Sequence, residues 1–405
     1  MTVSVIVVSR HREAALLRCL QGLQQQDHPG FEVIVVADPA GLLAVAALGL
    51  AVKRVAFDAA NISAARNAGL AQAAGGVVAF IDDDAVAEPT WLSRLVAPFG
   101  DARVVAAAGF VRGRNGISYQ WQATEVDCHA QDHALPVPDG VSLHAGKAGR
   151  AMKTQGTNCA FRRHDLLAIG GFDPAYRFYL DEADVNLRLE SSGLTAVVTD
   201  AQVHHGFAAS ARRRADRVPL SLFEIAASTA VFLRRHAPEG PDYAAWLRLQ
   251  NREAARLEVH LAAGRLEAVA ADRLLAGLSE GWSEGLDRVL PVLAPLAGGD
   301  AGFLALPGTG PRPGRVIAGR IWQRRRLMAE AQAAQAAGAV VTVICLAPTP
   351  RAHRMAFQGG IWVQEGGLYG RSDRSGPKLR LIRFARRVAE ETARIAPLRP
   401  VAGAR

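Results

Sequence analysis

Three short runs, SVIVVS (4–9), EVIVVA (32–37) and VVAFI (77–81), are almost continuously apolar and show no polar alternation. A strand with water on one face alternates. A strand covered on both faces need not, so these runs predict a parallel sheet held between helices. The intervening segments fit that reading. EAALLRCLQGLQQQ sets Leu16, Leu20 and Leu23 along one helix face, and NISAARNAGLAQAAGG reads as a helix stopping at Gly75-Gly76. Alternating strands and helices give an α/β, Rossmann-like fold, in which ligands bind beyond the carboxyl ends of the strands. Ser9 with Arg10, Asp38, and Asp82 to Asp84 all fall at such ends, so three separated segments are expected to share one crevice.

Further along, residues 110–155 read as irregular and polar, long enough for a functional loop region. CAFRRHDLLAIGGF reads as a short strand, a helix and a Gly-Gly turn, and DEADVNLRLESSG as a helix ended by Gly193. LTAVVTDAQVHHG then reads as edge strands leading to His204-His205. From about 211 the chain turns rich in Ala, Leu, Arg and Glu, and PGTGPRPGR (307–315) is a linker by composition. After it come an expected helix around 319–337, a strand AVVTVICL (339–346), a Gly-rich stretch, and a basic helix from 378 to about 395. The expected organisation is an α/β domain over 1–210, a helical extension over 211–306, and a small basic α/β domain over 307–405.

Four scattered cysteines without C-x-x-C spacing argue against a disulfide framework and for a reducing compartment. The amino terminus lacks a charged region before its apolar run, and no apolar stretch reaches the ~20 residues of a membrane helix. The expected location is therefore cytoplasmic. The net charge of +9 is uneven: residues 301–405 hold 18 Lys and Arg against 5 Asp and Glu. Such a region suits an anionic membrane surface or a phosphorylated substrate, and equally a set of solvated helices. Its arginines form no nucleic-acid recognition motif, so no nucleic acid is expected, and peripheral contact with an anionic membrane is retained.

Three adjacent carboxylates at the end of a buried strand repel one another unless a cation sits among them. Mg²⁺ and Mn²⁺ favour one or two carboxylates together with substrate phosphates. An acidic turn with Asp84 capping the next helix is the plainer alternative. The neighbouring segments bear on the choice. SVIVVSRHREAALLRCLQGL, EVIVVADPAG, NISAARNAGLAQAAGGVVAFIDDDA, GTNCAFRRHDLLAIGGFDPAY, LDEADVNLRLESSG and VHHG resemble, in order and spacing, the blocks of the family-2 glycosyltransferases over roughly residues 3–210. That resemblance implies a GT-A fold, with a mostly parallel sheet flanked by helices, and an inverting transferase that uses a nucleoside diphosphate sugar.

It also implies roles. Asp38 would contact the base or ribose, Arg66 would approach the diphosphate, and Asn67 would support its turn. Asp82 and Asp84 would form the D-x-D pair, the first toward the ribose and the second on a divalent cation (Mn²⁺ or Mg²⁺), with Asp83 ambiguous between them. His204 stands where the family often completes the metal site, with His205 as rival; either could be a solvated histidine at a strand end. Glu182 falls at the family's base position, one methylene longer than the usual aspartate. Asp181 and Asp184 remain rivals, the latter also a ready partner for Arg188 one helical turn on. Ala37 and Pro39-Ala40 depart from the family's D-D-G-S, which puts uridine-type base recognition in doubt. The processive-synthase signature Q-x-x-R-W is absent, which points to single-sugar transfer. The acceptor expected is a glycan or lipid-linked intermediate of a bacterial surface polysaccharide. The other readings are a non-catalytic glycan-binding or scaffolding protein, left open by Ala37 and the Asp181-Glu182 order, and a nucleotidyltransferase, which would need a Gly-rich loop that SRHREAALL lacks.

Overall fold

The computed structural model describes residues 1–206, 212–299 and 301–401. The expected boundary between residues 210 and 211 lies outside the described residues. β1 (Val3–Ser9), α1 (Glu13–Leu23), β2 (Glu32–Ala37), α2 (Pro39–Ala46), β3 (Lys53–Ala56), α3 (Ile62–Leu70) and β4 (Val77–Asp82) alternate from the start. The strands lie in the order β3-β2-β1-β4, all parallel. Every residue of β2 is buried and all but one of β1, which is why neither sequence alternates. The chain order reverses between β1 and β4, the switch point at which open α/β sheets leave a crevice.

α3 ends at Leu70, short of the Gly75-Gly76 pair. The intervening backbone turns to satisfy buried groups below: Ala74 N–H donates to Glu32 Oε1 (2.7 Å) and Gly75 N–H to Ser4 Oγ (2.8 Å). A Cβ on Gly75 would meet the Ser4 backbone nitrogen at 2.6 Å, so only glycine passes there.

Past β4 come β5 (Ala85–Ala87), α4 (Trp91–Val96), β6 (Val104–Arg112), β7 (Tyr119–Trp121), β8 (Thr124–Asp127), β9 (Asp132–Ala134), β10 (Val141–Ala145), β11 (Arg150–Lys153), β12 (Cys159–Arg162), α5 (Arg163–Ala168), α6 (Asp181–Arg188) and β13 (Leu194–His205). The sheet extends as β10-β13-β6-β12-β4, with β12 antiparallel to both neighbours and β6 parallel to β13. Two expectations are corrected. Residues 110–155 are not irregular: they hold short strands, of which β11-β8-β9 form a separate sheet, but their polar, three- to five-residue runs give no apolar signal. And β13 is an interior strand, one continuous 12-residue element whose polar Thr199-Asp200 is absorbed by a register shift between Val198 and Gln202.

α7 (Phe223–His236), α8 (Tyr243–Ala262) and α9 (Ala268–Asp287) follow. Gly281 and Gly285 let α9 approach the backbone of α7; a Cβ on Gly281 would lie 2.1 Å from Phe223 O. An extended stretch then crosses back, with Leu296 N–H donating to Leu167 O (2.9 Å) and Leu306 N–H to Phe31 O (2.7 Å). The remainder is β14 (Gly314–Arg320), α10 (Arg324–Ala336), β15 (Val340–Ala347), β16 (Arg354–Gln358), β17 (Ile361–Gly367) and α11 (Phe384–Ile395). They form a sheet in the order β14-β15-β17-β16, its first three strands parallel. Val86 of β5 and Ile117, from the turn between β6 and β7, pack with Met355, Phe357, Trp362 and Ile395. No described helix is long and apolar enough to cross a membrane, and the four cysteines are free thiols.

Candidate functional site

The carboxyl ends of β1, β2 and β4 meet at the switch point. Ser9 Oγ donates to Asp83 Oδ2 (2.7 Å), and Arg12, from the turn before α1, lies 2.6 Å from the other oxygen of Asp83 and 3.5 Å from Asp84. Asp83 is completely buried. Burial raises its pKa to about 7; Arg12 pulls it down and the adjacent Asp84 pushes it up. Asp83 thus belongs to the wall of the crevice, facing Ser9 and Arg12. Asp38 caps α2: its carboxylate accepts from His11 N–H (2.8 Å) and Gly41 N–H (3.3 Å). Burial alone would raise its pKa, and those two N–H donors outweigh it, leaving the carboxyl below its ordinary value. His11 takes a left-handed conformation (φ 55°) as its N–H meets Asp38.

Asp82 and Asp84 point differently. Asp82 keeps about a third of its side chain exposed. Asp84 is buried and lies 3.1 Å from His205 Nε2. Asp82, Asp84 and His205 each offer a ligand atom, all within 4.8 Å of one another. His205 Nδ1 lies 3.1 Å from Gln120 Oε1, which can take an Nδ1 hydrogen and so leave Nε2, 3.1 Å from the Asp84 carboxylate, free to ligate a cation. Two carboxylate oxygens and one imidazole nitrogen suit Mn²⁺ and Mg²⁺ coordination with positions left for phosphate and water. These residues fit a divalent cation.

The histidine of this group is His205, the rival of His204 in the sequence reading. Successive residues of a strand face opposite sides. His204 turns to the far side of β13, where Nε2 meets Glu88 (2.6 Å) and its ring lies against Trp362.

Arg66 links the cluster to α6. Its guanidinium pairs with Asp181, lies 3.6 Å from Asp82, donates to Gly156 O (3.2 Å), and rests against the rings of Phe80 and Phe172. Asn67 holds the turn that seats α6: its amide exchanges hydrogen bonds with Phe172 O (2.7 Å) and Phe172 N–H (2.9 Å). Before α6, Tyr179 and Leu180 are both left-handed (φ 73° and 65°), a costly pairing for residues with bulky side chains. It brings Asp181 and Glu182 into the first turn of the helix. Glu182 shares a hydrogen bond with Asp181, and its pKa is raised, first by burial and then by the Asp181 charge, against the pull of Arg66 and Lys153.

The three acidic candidates on α6 therefore differ. Asp181 is committed to Arg66. Asp184 is wholly buried, with one oxygen held by Arg188 (2.6 and 2.9 Å) and the other by His236 (2.9 Å), so it ties α6 to α7 and has no oxygen left for a substrate. Glu182 alone of the three keeps partial exposure. Sequence reading passed over Arg12, Gln120 and Lys153. Arg12 sits in the run Arg10-His11-Arg12, which reads as solvated charge, and Gln120 and Lys153 lie in short strands without an apolar signal.

Residues 4–167 match the model of the family described as glycosyl transferase family 2. This span includes Ser9, Asp38, Arg66 and Asp82 to Asp84 and stops short of Glu182 and His205. The chain is similar to an O-antigen biosynthesis protein, RfbC, of Myxococcus xanthus, 26% identical over 266 residues covering 60% of this chain and 20% of that protein. It is also similar to a glucosyl-dolichyl phosphate glucuronosyltransferase of Haloferax volcanii, 30% identical over 113 residues covering 28% of this chain and 34% of that one. The chain thus spans about a fifth and about a third of these relatives' lengths. Among solved structures it aligns with a mannosyltransferase from Pyrobaculum calidifontis in complex with GDP-mannose and Mn²⁺, 16% identical at a TM-score of 0.43, covering 71% of this chain and 88% of the other. The family resemblance read from the sequence is thus matched by the family model over residues 4–167.

Proposed function

We propose that the protein is an inverting glycosyltransferase that moves one sugar from a nucleoside diphosphate sugar to a hydroxyl of a glycan or lipid-linked acceptor, in the synthesis of a bacterial surface polysaccharide. The observation that supports this most is the approach of Asp82, Asp84 and His205 at the switch point, joined through Arg66 to the acidic turn that carries Glu182. In this reading Asp84, Asp82 and His205 hold a divalent cation, Mn²⁺ or Mg²⁺, which when bound offsets the negative charge of the nucleoside diphosphate leaving group. Asp38 shapes the pocket for the base or ribose through the backbone it caps, and Ser9 and Asp83 fix the wall beside it. Arg66 holds positive charge near the diphosphate. Glu182 takes the proton from the attacking acceptor hydroxyl, for which its raised pKa is suited. The domain division proposed is 1–210 for transfer, 211–306 as a helical extension that buttresses α6, and 307–405 as the basic unit.

Calorimetry of UDP, GDP, dTDP and CDP, each with and without Mn²⁺, tests the reading without an acceptor. Binding of one nucleotide that requires Mn²⁺ and is lost in Asp84→Ala is expected. No binding of any nucleotide by the folded protein would overturn it.

A further inference from the structure

β14, β15 and β17 run parallel, so their carboxyl ends open on the same side of the small sheet. The chain leaving β14 exposes Ile321 (40%) and Trp322 (69%), and the strap between β17 and α11 exposes Leu379 (58%) and Leu381 (83%). These two segments touch: the Arg320 guanidinium lies 4.4 Å from the Phe384 ring centre, and the strap is pinned to the sheet end by Arg380 N–H donating to Tyr369 O (3.0 Å). Four large apolar side chains thus stand in water on neighbouring segments whose own fold does not use them.

The same segments, 320–326 and 371–387, carry eleven Lys and Arg and one acid, Asp373. Part of that charge is answered locally: Arg324 by Glu365 (2.9 Å), Arg386 by Glu390 (3.3 Å), Arg380 also by Glu390, and Arg387 by Glu391 (3.2 Å). Arg325, Arg326, Lys378 and Arg383 are exposed and have no carboxylate within ion-pair distance among the described residues. The pattern is apolar side chains set among unanswered cations.

We propose that this end of the C-terminal sheet is a docking surface for an anionic lipid bilayer, with Trp322, Leu379 and Leu381 entering the headgroup–acyl boundary and Arg325, Arg326, Lys378 and Arg383 facing the lipid phosphates. A single weak signal holds a protein to a bilayer only marginally, whereas apolar insertion combined with a basic patch holds it stably. Each Lys or Arg near an anionic surface strengthens binding by about fivefold. A second copy of the chain would bring like charge against like charge. A nucleic acid would use the cations but leave Leu379 and Leu381 in water. Exposure and charge carry the proposal, independently of the sugar-transfer reading, so either can fail while the other stands.

The test is co-sedimentation of the full chain with vesicles of phosphatidylcholine alone, and of phosphatidylcholine with phosphatidylglycerol, at low and high salt. Binding confined to the anionic vesicles and weakened by salt is expected. The double variant Leu379→Ser/Leu381→Ser is expected to lose at least tenfold in partitioning, and Arg325→Glu/Arg326→Glu to lose more, both with an unchanged thermal midpoint. Equal binding to the two vesicle types, or none, would overturn the proposal. So would binding that the leucine variant leaves unaltered and that a polyuridine competitor removes, which would make the patch a polyanion site.

Discussion

His204 and His205 are adjacent in sequence and face different chemistry: one lies beside a carboxylate cluster and the other beside a single buried glutamate. The choice between them follows from which face of β13 is turned to the crevice, and both residues suit either face by composition. Gln120 is expected to fix the ligand form of His205, because its oxygen takes the Nδ1 hydrogen. Gln120→Leu should weaken Mn²⁺ binding about 10- to 100-fold with the fold retained, as read by calorimetry. Glu182→Gln should leave donor binding intact and lower transfer about a thousandfold; normal turnover would exclude Glu182 as the base. A base works only when deprotonated, so activity should rise with pH as Glu182 ionises. Burial and the Asp181 charge place that rise above the ordinary glutamate value of 4.5. Lys153 favours the ionised form, so Lys153→Met should move the acid limb of the rate profile to still higher pH.

At the scale of elements, β1, β2 and β4 with α1 and α3 were legible because a strand buried on both faces leaves an apolar run, whereas β3 (KRVA), exposed at alternate positions, and α2 were not. The aspartates were legible for a related reason, since they stand at the ends of those strands, while Arg66 was singled out only by the resemblance to the family-2 blocks. The short strands from 119 to 153, together with β14, β16 and β17, were not. Each is half exposed or built on Gly, Arg and Gln, so its pairing is decided by partners distant in sequence. α3, which presents Arg66, has a definite start: Asn61 Oδ1 accepts from Ala64 N–H (3.0 Å) while its amide donates to Pro174 O (2.9 Å). Asn61→Ala should cost about 0.5–2 kcal/mol in urea unfolding. It should also weaken nucleotide binding if the cap sets the position of Arg66.

For the whole molecule, the junction between the large sheet and the C-terminal sheet is polar at its centre. Glu88, wholly buried, receives Arg399 through two hydrogen bonds (2.6 and 2.7 Å) and His204 through a third, and Arg399 lies 3.9 Å from the Trp362 ring centre. Gln25 spans the same junction, donating to Gly360 O (2.6 Å) and accepting from Trp362 (3.1 Å). Burial would raise the Glu88 pKa, and the Arg399 charge outweighs it, so the folded carboxyl sits well below its ordinary value. A carboxyl depressed in the folded state stabilises at pH above the unfolded value near 4.5, and that contribution drains away as pH falls below it. Acid should therefore loosen this junction early, visible as faster amide exchange in β16 and β17. Glu88→Gln strands the Arg399 charge and should cost about 3–5 kcal/mol in urea unfolding.

Glu88 and Arg399 are 311 residues apart in the chain. During synthesis the strand that ends in the aspartate triplet emerges early, yet the cation that neutralises the glutamate just beyond it leaves the ribosome only after three hundred further residues have been added. Until then Glu88 must stay hydrated, and α4 and β13 cannot close over it at low energy. Pairing so distant in sequence makes for slow folding. Closure of the junction over Glu88 is therefore expected to come late in folding, after the crevice at the ends of β1, β2 and β4 can form.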